Sequence, residues 1–441
     1  MSALPAIHPN PAEQRRVLLF SLLGTVFDGA DFAVFIFFLA PLAARFRVTL
    51  VAMEGIQAAS YLAGIGGAIL FGLLADRFGR RLGLTLTVVV YSLGTLASAF
   101  APSYTALFVW RIVAGTGIGG EAGLAIAYLN EAWHPRRRGV ATAWLQSMFL
   151  VGSAIATVLF TSTTARFGAD AWRWAFGLLG VAVLLAGALR LWMPESRAWL
   201  ARQARPRGQA ASGSAGALRA PGLLRLTLRL AALMTGTFFA AYAVETYAPS
   251  ALLTVYRLSA ASVGDFAFLG LTVIFAAYLC FGGLSDRWGR RPTLVAAASV
   301  GGFGFILYAW LLASGADLGV HPGRLPAHTL VALLWMLAAA APLGVQGTWA
   351  AELFPTEVRA TAVNAAYYVG RGLGGGLAPL AALALVQHLG GGLRLTMTVG
   401  LLGLVMALPL AMQLPETRGA PLLLTTNDSG PRKVDRGAGS L

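Results

Sequence analysis

Apolar stretches of about 18 to 25 residues recur along the whole chain, each long enough to cross a ~30 Å hydrocarbon core as a helix. Twelve such spans are read, at 17–42, 54–75, 83–101, 105–129, 139–162, 172–193, 226–250, 262–284, 293–313, 327–351, 360–386 and 395–414. The chain is 57% hydrophobic and 12% charged, where soluble globular domains carry about 25% charge. The expected fold class is an all-α membrane protein with twelve transmembrane helices, and the lipid bilayer is its first partner. Arg15 and Arg16 precede the first run in the manner of a signal peptide. That run stays apolar from Val17 to Leu42 with no small-residue cleavage site, so a retained helix is expected.

A net charge of +15 would suggest a nucleic-acid partner in a soluble protein. Here the distribution speaks against one. With a cytoplasmic N-terminus and alternating spans, most of the 33 lysines and arginines fall on the cytoplasmic side. That is the positive-inside bias of an inner or plasma membrane protein with both termini in the cytoplasm. The single cysteine, Cys280, excludes an intrachain disulfide or a zinc cluster and is expected to be a small buried side chain.

The chain repeats itself. "GLLADRFGRR" (72–81) returns as "GGLSDRWGRR" (282–291), "EAWHPRRRGVATA" (131–143) as "ELFPTEVRATA" (352–362), and "PESR" (194–197) as "PETR" (415–418). Two six-helix units in the same orientation follow, the arrangement of parallel transporter repeats. The units are placed at 17–196 and 226–414, after a cytoplasmic segment 1–16. The Arg-, Gly-, Ser- and Pro-rich stretch "ARQARPRGQAASGSAGALRAPG" lies in a cytoplasmic linker 197–225. Residues 415–441 read as a polar, disordered cytoplasmic tail.

These doubled loops resemble the signature of the major facilitator superfamily, and the resemblance covers nearly the whole chain. It implies two pseudo-symmetric six-helix bundles working as one transporter, here expected to be a monomer. "DGAD" at 28–31 resembles the span-one motif of aromatic-acid:proton symporters, and "GTGIGGEAG" at 115–123 that of metabolite, sialate and lactate:proton symporters. "PESRAWL" and "PETRG" are similar to sugar porters and organic-acid symporters. Span seven lacks the glutamines of sugar porters, and span five lacks the Gly-Pro pair of proton-driven drug exporters. The expected function is proton-coupled uptake of a small organic anion, a carboxylate. A proton antiporter exporting drugs or metabolites is the alternative, with a sugar porter or a non-transporting substrate sensor behind it.

The physical case rests on charge. An ionisable group at mid-bilayer costs about 2.5–3.5 kcal/mol on insertion scales, so each needs a partner or water. Six stand well inside spans: Asp28, Asp31, Arg111, Glu121, Glu245 and Arg371. Fully ionised they sum to −2, an imbalance that a bound proton relieves. Asp28 and Asp31, three residues apart, share a helix face and are the leading proton-coupling candidates, with Glu121 a further one. One of them can instead pair with Arg111. Arg371 cannot shed its charge, and its planar fork matches a carboxylate. It reads as an anion-binding residue, or as an internal partner of Glu245.

Arg111, Gln146, Glu245, Tyr247, Gln346, Trp349, Asn364 and Tyr367 complete the candidate substrate pocket, with Phe32, Tyr242 and Tyr368 beside them. Tyr367 is placed one turn before Arg371, on its face. Asp76, Arg77, Arg80, Arg81, Glu131, Arg138 and their repeats Asp286, Arg287, Arg290, Arg291, Glu352 and Arg359 are read as networks that close the cytoplasmic face in one state and break in the other. No metal spacing, catalytic triad or ATP loop is evident, so no enzymatic activity and no cofactor are expected. A proton gradient is the remaining energy source.

Overall fold

The computed structural model describes residues 10–204, 221–315 and 325–424. Most of the 197–225 linker, the distal tail 425–441 and the start of the 1–16 segment therefore lie outside the described residues.

The first half contributes α1 (Pro11–Phe46), α2 (Leu50–Phe78), α3 (Arg80–Ser98), α4 (Tyr104–Ala132), α5 (Arg138–Phe167) and α6 (Ala171–Leu189), then the short α7 (Arg197–Gln203). The second begins with α8 (Pro221–Thr254), α9 (Ala260–Trp288) and α10 (Arg290–Ala313). Its tenth span is α11 (Ala327–Leu337) with α12 (Leu343–Leu353). The eleventh is α13 (Arg359–Gly370), a π-helical stretch Arg371–Leu377 and α14 (Ala378–His388). The twelfth is α15 (Leu393–Val399) with α16 (Leu401–Gln413). Among the described residues eleven helical runs are long and apolar enough to cross a membrane, and one, Pro135–Trp192, holds both α5 and α6. Counting those two separately gives twelve helices, and no strand occurs among the described residues.

The repeat is visible in the helix ends. Thr49 caps α2 and Ser259 caps α9, each accepting a backbone N–H through its hydroxyl, and each following an arginine with left-handed backbone, Arg47 (φ 56°) and Arg257 (φ 54°). Helices α1 and α5 pack backbone to backbone. A Cβ on Gly29 would stand 2.0 Å from the Phe149 carbonyl oxygen, and one on Gly152 1.9 Å from that of Val26. Gly29 therefore brings the backbone of α1 against α5 and does not break the helix. The two halves meet along α2 against α13 and α5 against α9.

One structure explains the three repeated motifs. Gly79 (φ 111°) and Gly289 (φ 108°) turn the chain into α3 and α10 in a conformation that disfavours a side chain. Glu195 accepts the N–H groups of Arg80 (2.8 Å) and Arg81 (3.2 Å), and Glu416 those of Arg290 and Arg291 (both 2.9 Å). The glutamates of "PESR" and "PETR" thus cap the helices that the "GRR" motifs begin, where a carboxylate is favoured. Arg80 grips Glu131 through two nitrogens (3.1 and 2.8 Å), and Arg290 grips Glu352 likewise (3.0 and 2.8 Å).

Two expectations need correction. The described part of the tail, 415–424, is not disordered but held through its backbone. The Ala420 carbonyl accepts from Arg138 (3.1 Å), and the Leu423 carbonyl accepts from the Thr356 N–H (2.9 Å) and from Arg359 (3.1 Å). Cys280 is exposed, not buried. It lies on an outer surface as apolar as the core, where Phe268 and Trp310 are also exposed.

Candidate functional site

Four of the six intramembrane charges meet between the halves. Asp28 and Asp31 project from the middle of α1, Arg111 from α4, and Arg371 from the first residue of the π-helical stretch in "RGLGGGL". All four are buried. Asp31 and Arg111 form a two-point pair, Nη1 to Oδ1 at 2.8 Å and Nη2 to Oδ2 at 2.6 Å, and Thr95 donates to the same carboxylate at 2.8 Å. Phe35 and Phe176 lie against this guanidinium. The pair belongs wholly to the first half.

Asp28 reaches across. Its Oδ2 accepts from Arg371 Nη1 at 2.9 Å, joining α1 to the eleventh span over 343 residues of sequence. This is a one-point contact: Asp28 Oδ1 and Arg371 Nε are buried with no partner among the described residues. Four rings surround the guanidinium, those of Phe149 (5.1 Å), Tyr61 (5.4 Å), Tyr368 (5.9 Å) and Phe32 (6.0 Å). Between these groups, with Gln57, Ser60, Gly115 and Ile118, lies a cavity with room for roughly a water molecule.

Glu245, the alternative internal partner read for Arg371, is not the acid it meets: Arg371 pairs with Asp28, because α1 brings that acid to the guanidinium edge. Glu245 is partly exposed and no described residue forms an ion pair with it. It lies three residues beyond Tyr242, whose ring packs on Phe32 (6.3 Å), so it shares the face of α8 that looks at the first half. Tyr368 rather than Tyr367 stands by Arg371; Tyr367 packs on Phe238 and accepts from Gln146 (3.2 Å), one layer away.

Glu121 is placed elsewhere. It is buried inside the first half, bound by Arg190 and by Thr87 (2.8 Å), in contact with neither aspartate. Arg190, three residues before Met193 of "MPESR", stands at the end of the sixth apolar span, where the sequence does not single it out. It is buried and adds a seventh charge to those six, and with it the count becomes four acids to three arginines, each arginine paired and Glu245 left over.

Other pocket candidates are spent on helix packing. Tyr247 donates to the Pro379 carbonyl (2.7 Å), Trp349 to that of Pro415 (2.9 Å), and Asn364 to those of Ala68 and Gly120 (3.2 and 2.9 Å). Gln346 accepts from Thr237 (2.7 Å). The donors of Tyr247, Trp349 and Asn364 thus satisfy backbone carbonyls that water cannot reach, while Gln346 Nε2 and Asn364 Oδ1 stay buried without a partner among the described residues. Sequence reasoning missed Tyr61, Phe149, Gln57 and Ser60, which nothing in composition distinguishes from ordinary helix residues.

The arginine-rich face is closed by a second set of contacts across the halves. Asp76 accepts the N–H groups of Ala360 (3.2 Å) and Thr361 (3.0 Å), capping α13, and Asp286 accepts those of Gly139 (2.9 Å) and Val140 (3.0 Å), capping α5. Arg359 pairs with Glu131 at 2.8 Å and Arg138 with Glu352 at 3.6 Å. Arg77 and Arg287 stand outside this network, both exposed, and Arg77 lies over the Phe78 ring. Arg81 enters only through its backbone N–H, while Arg291 also donates to the Leu414 carbonyl (2.7 Å).

The profile of the Major Facilitator Superfamily matches residues 21–379. The probable 4-methylmuconolactone transporter of Cupriavidus pinatubonensis is 30% identical over 92% of this chain and 92% of its own. The niacin transporter NiaP of Acinetobacter baylyi is 26% identical over 91% of this chain and 93% of its own. Among solved structures, the proton:xylose symporter XylE bound to 6-bromo-6-deoxy-D-glucose superposes with a TM-score of 0.74 at 20% identity, covering 94% of this chain and 98% of that one. At that identity the likeness is one of fold.

Proposed function

The chain belongs to the major facilitator superfamily, a family of multi-pass membrane transporters and not enzymes, and we propose that it takes up a small organic carboxylate together with a proton by alternating access. The observation that carries this reading is Arg371. It is a permanent cation at the seam of the two halves, ringed by aromatic groups and held by only one carboxylate oxygen. A cargo carboxylate fits the guanidinium edge, and an apolar or aromatic cargo body fits the rings.

Coupling follows from charge balance. A cargo that takes Arg371 strips Asp28 of its cation, and a proton on Asp28 restores neutrality before the site closes. Asp31 and Glu121 serve as fixed counter-ions of Arg111 and Arg190. The Asp76 and Asp286 contacts hold the cytoplasmic gate shut while the site faces outward, with both termini in the cytoplasm and the protein in the inner membrane. The relatives named for niacin and for a muconolactone support a carboxylate, since niacin is a ring-bound carboxylic acid.

The test is uptake into proteoliposomes of a labelled panel of ring-bearing and aliphatic monocarboxylates, under an inward proton gradient. Acid uptake that rises with the gradient and is lost in Arg371→Ala supports the reading. Uptake of neutral sugars or cations instead, or stimulation by the reverse gradient, overturns it.

A further inference from the structure

We propose that Asp28 is a built-in stand-in for the cargo's carboxylate, able to neutralise Arg371 so that the carrier closes and returns without cargo. This rests on the reading of Arg371 as the anion anchor. Its consequence is a carrier capable of net uptake rather than one confined to exchanging one anion for another.

A guanidinium stays charged under all physiological conditions, so closing a membrane protein around a bare one is strongly opposed. Every closed conformation of this site needs a negative partner for Arg371. Asp28 supplies it at 2.9 Å from the opposite half, and the cavity beside the pair is far too small for an organic acid. The other acids are committed or distant. Asp31 is held at both oxygens by Arg111, Glu121 is bound by Arg190, and Glu245 forms no ion pair with Arg371. The one-point geometry suits a substitute that must yield: Asp28 uses a single oxygen, whereas the arginine that keeps its acid, Arg111, is gripped at two. A cargo carboxylate able to make two contacts displaces it.

The experiment uses formate as the probe and needs no knowledge of the cargo. In a Cys280→Ser background, spin labels at exposed positions Arg45, at the end of α1, and Gln387, at the end of α14, report how closely these two helices approach on the side away from the arginine-rich face. The parent protein in chloride should show a dominant short distance. In Asp28→Ala the closed-to-open ratio should fall at least about tenfold, as expected when a buried charge loses its partner. Formate should restore it and isosteric formamide should not. Asp28→Ala/Arg371→Gln, with no charge left to neutralise, should close in chloride alone, which separates loss of charge balance from loss of fold.

The proposal is overturned if Asp28→Ala closes like the parent, if formamide restores closure as well as formate, or if the double variant stays open. These results are independent of the uptake panel: closure controlled by formate can stand even where Arg371 proves not to bind the cargo, and the reverse also holds.

Discussion

Asp76 and Thr361 are joined by two hydrogen bonds, from the Thr361 N–H at 3.0 Å and from its hydroxyl at 2.6 Å, so an acid at the end of α2 caps a helix of the opposite half. The repeat-related acid Asp286 accepts only two N–H groups from α5. The flanking ion pairs are unequal in the same sense, 2.8 Å for Arg359 with Glu131 against 3.6 Å for Arg138 with Glu352. The closure is symmetric in plan and stronger on the Asp76 side.

Asp76→Asn should therefore open this face more readily than Asp286→Asn. Losing a charge-assisted cap weakens closure by about 1–2 kcal/mol, a roughly tenfold rise in the open fraction. The labelling rate of a cysteine at buried Ala143, in the Cys280→Ser background, measures it. Equal rates in the two variants would show that the extra bonds of Asp76 do not matter.

Glu121 and Arg190 make a different case. Their pair sits inside the first half and touches no part of the Asp28–Arg371 seam. Glu121→Gln leaves Arg190 buried without an anion and should destabilise the protein by about 3–5 kcal/mol. Thermal melting should show the loss, while anion affinity of the folded fraction stays within about twofold, the scatter expected of sites that do not share a partner. A large affinity change with unaltered melting would place Glu121 in the transport path.

Glu245→Gln is expected to do the opposite. No arginine loses a partner, so melting should move by the equivalent of less than about 1 kcal/mol. A drop as large as that of Glu121→Gln would reveal a hidden cationic partner.

The twelve spans and the repeat are legible because apolar length and doubled motifs are one-dimensional signals. Asp28, Asp31, Arg111 and Arg371 are legible because charges are conspicuous in apolar runs. Their pairing is not: Asp28 and Arg371 are 343 residues apart, and only the packing of α1 beside the eleventh span decides which acid meets which arginine. Arg190 escapes notice because it lies at the end of an apolar run, where arginine normally faces water. The ordered tail escapes because it is held through the carbonyls of Ala420 and Leu423, which carry no sequence signature. Tyr247 and Trp349 mislead because an aromatic donor serving a distant carbonyl looks, in sequence, like one serving a ligand.

The most direct test of the exchange between Asp28 and a cargo carboxylate at Arg371 is a thermal-shift titration with matched acids and amides, such as nicotinate with nicotinamide and benzoate with benzamide, on the parent, Arg371→Gln and Asp28→Asn. The account expects stabilisation by at least one acid and by no amide. That response should vanish in Arg371→Gln and occur at about tenfold lower concentration in Asp28→Asn, where a competitor worth ~1.4 kcal/mol has been removed. Stabilisation by amides equal to that by acids, or an acid response unchanged in Arg371→Gln, would contradict it.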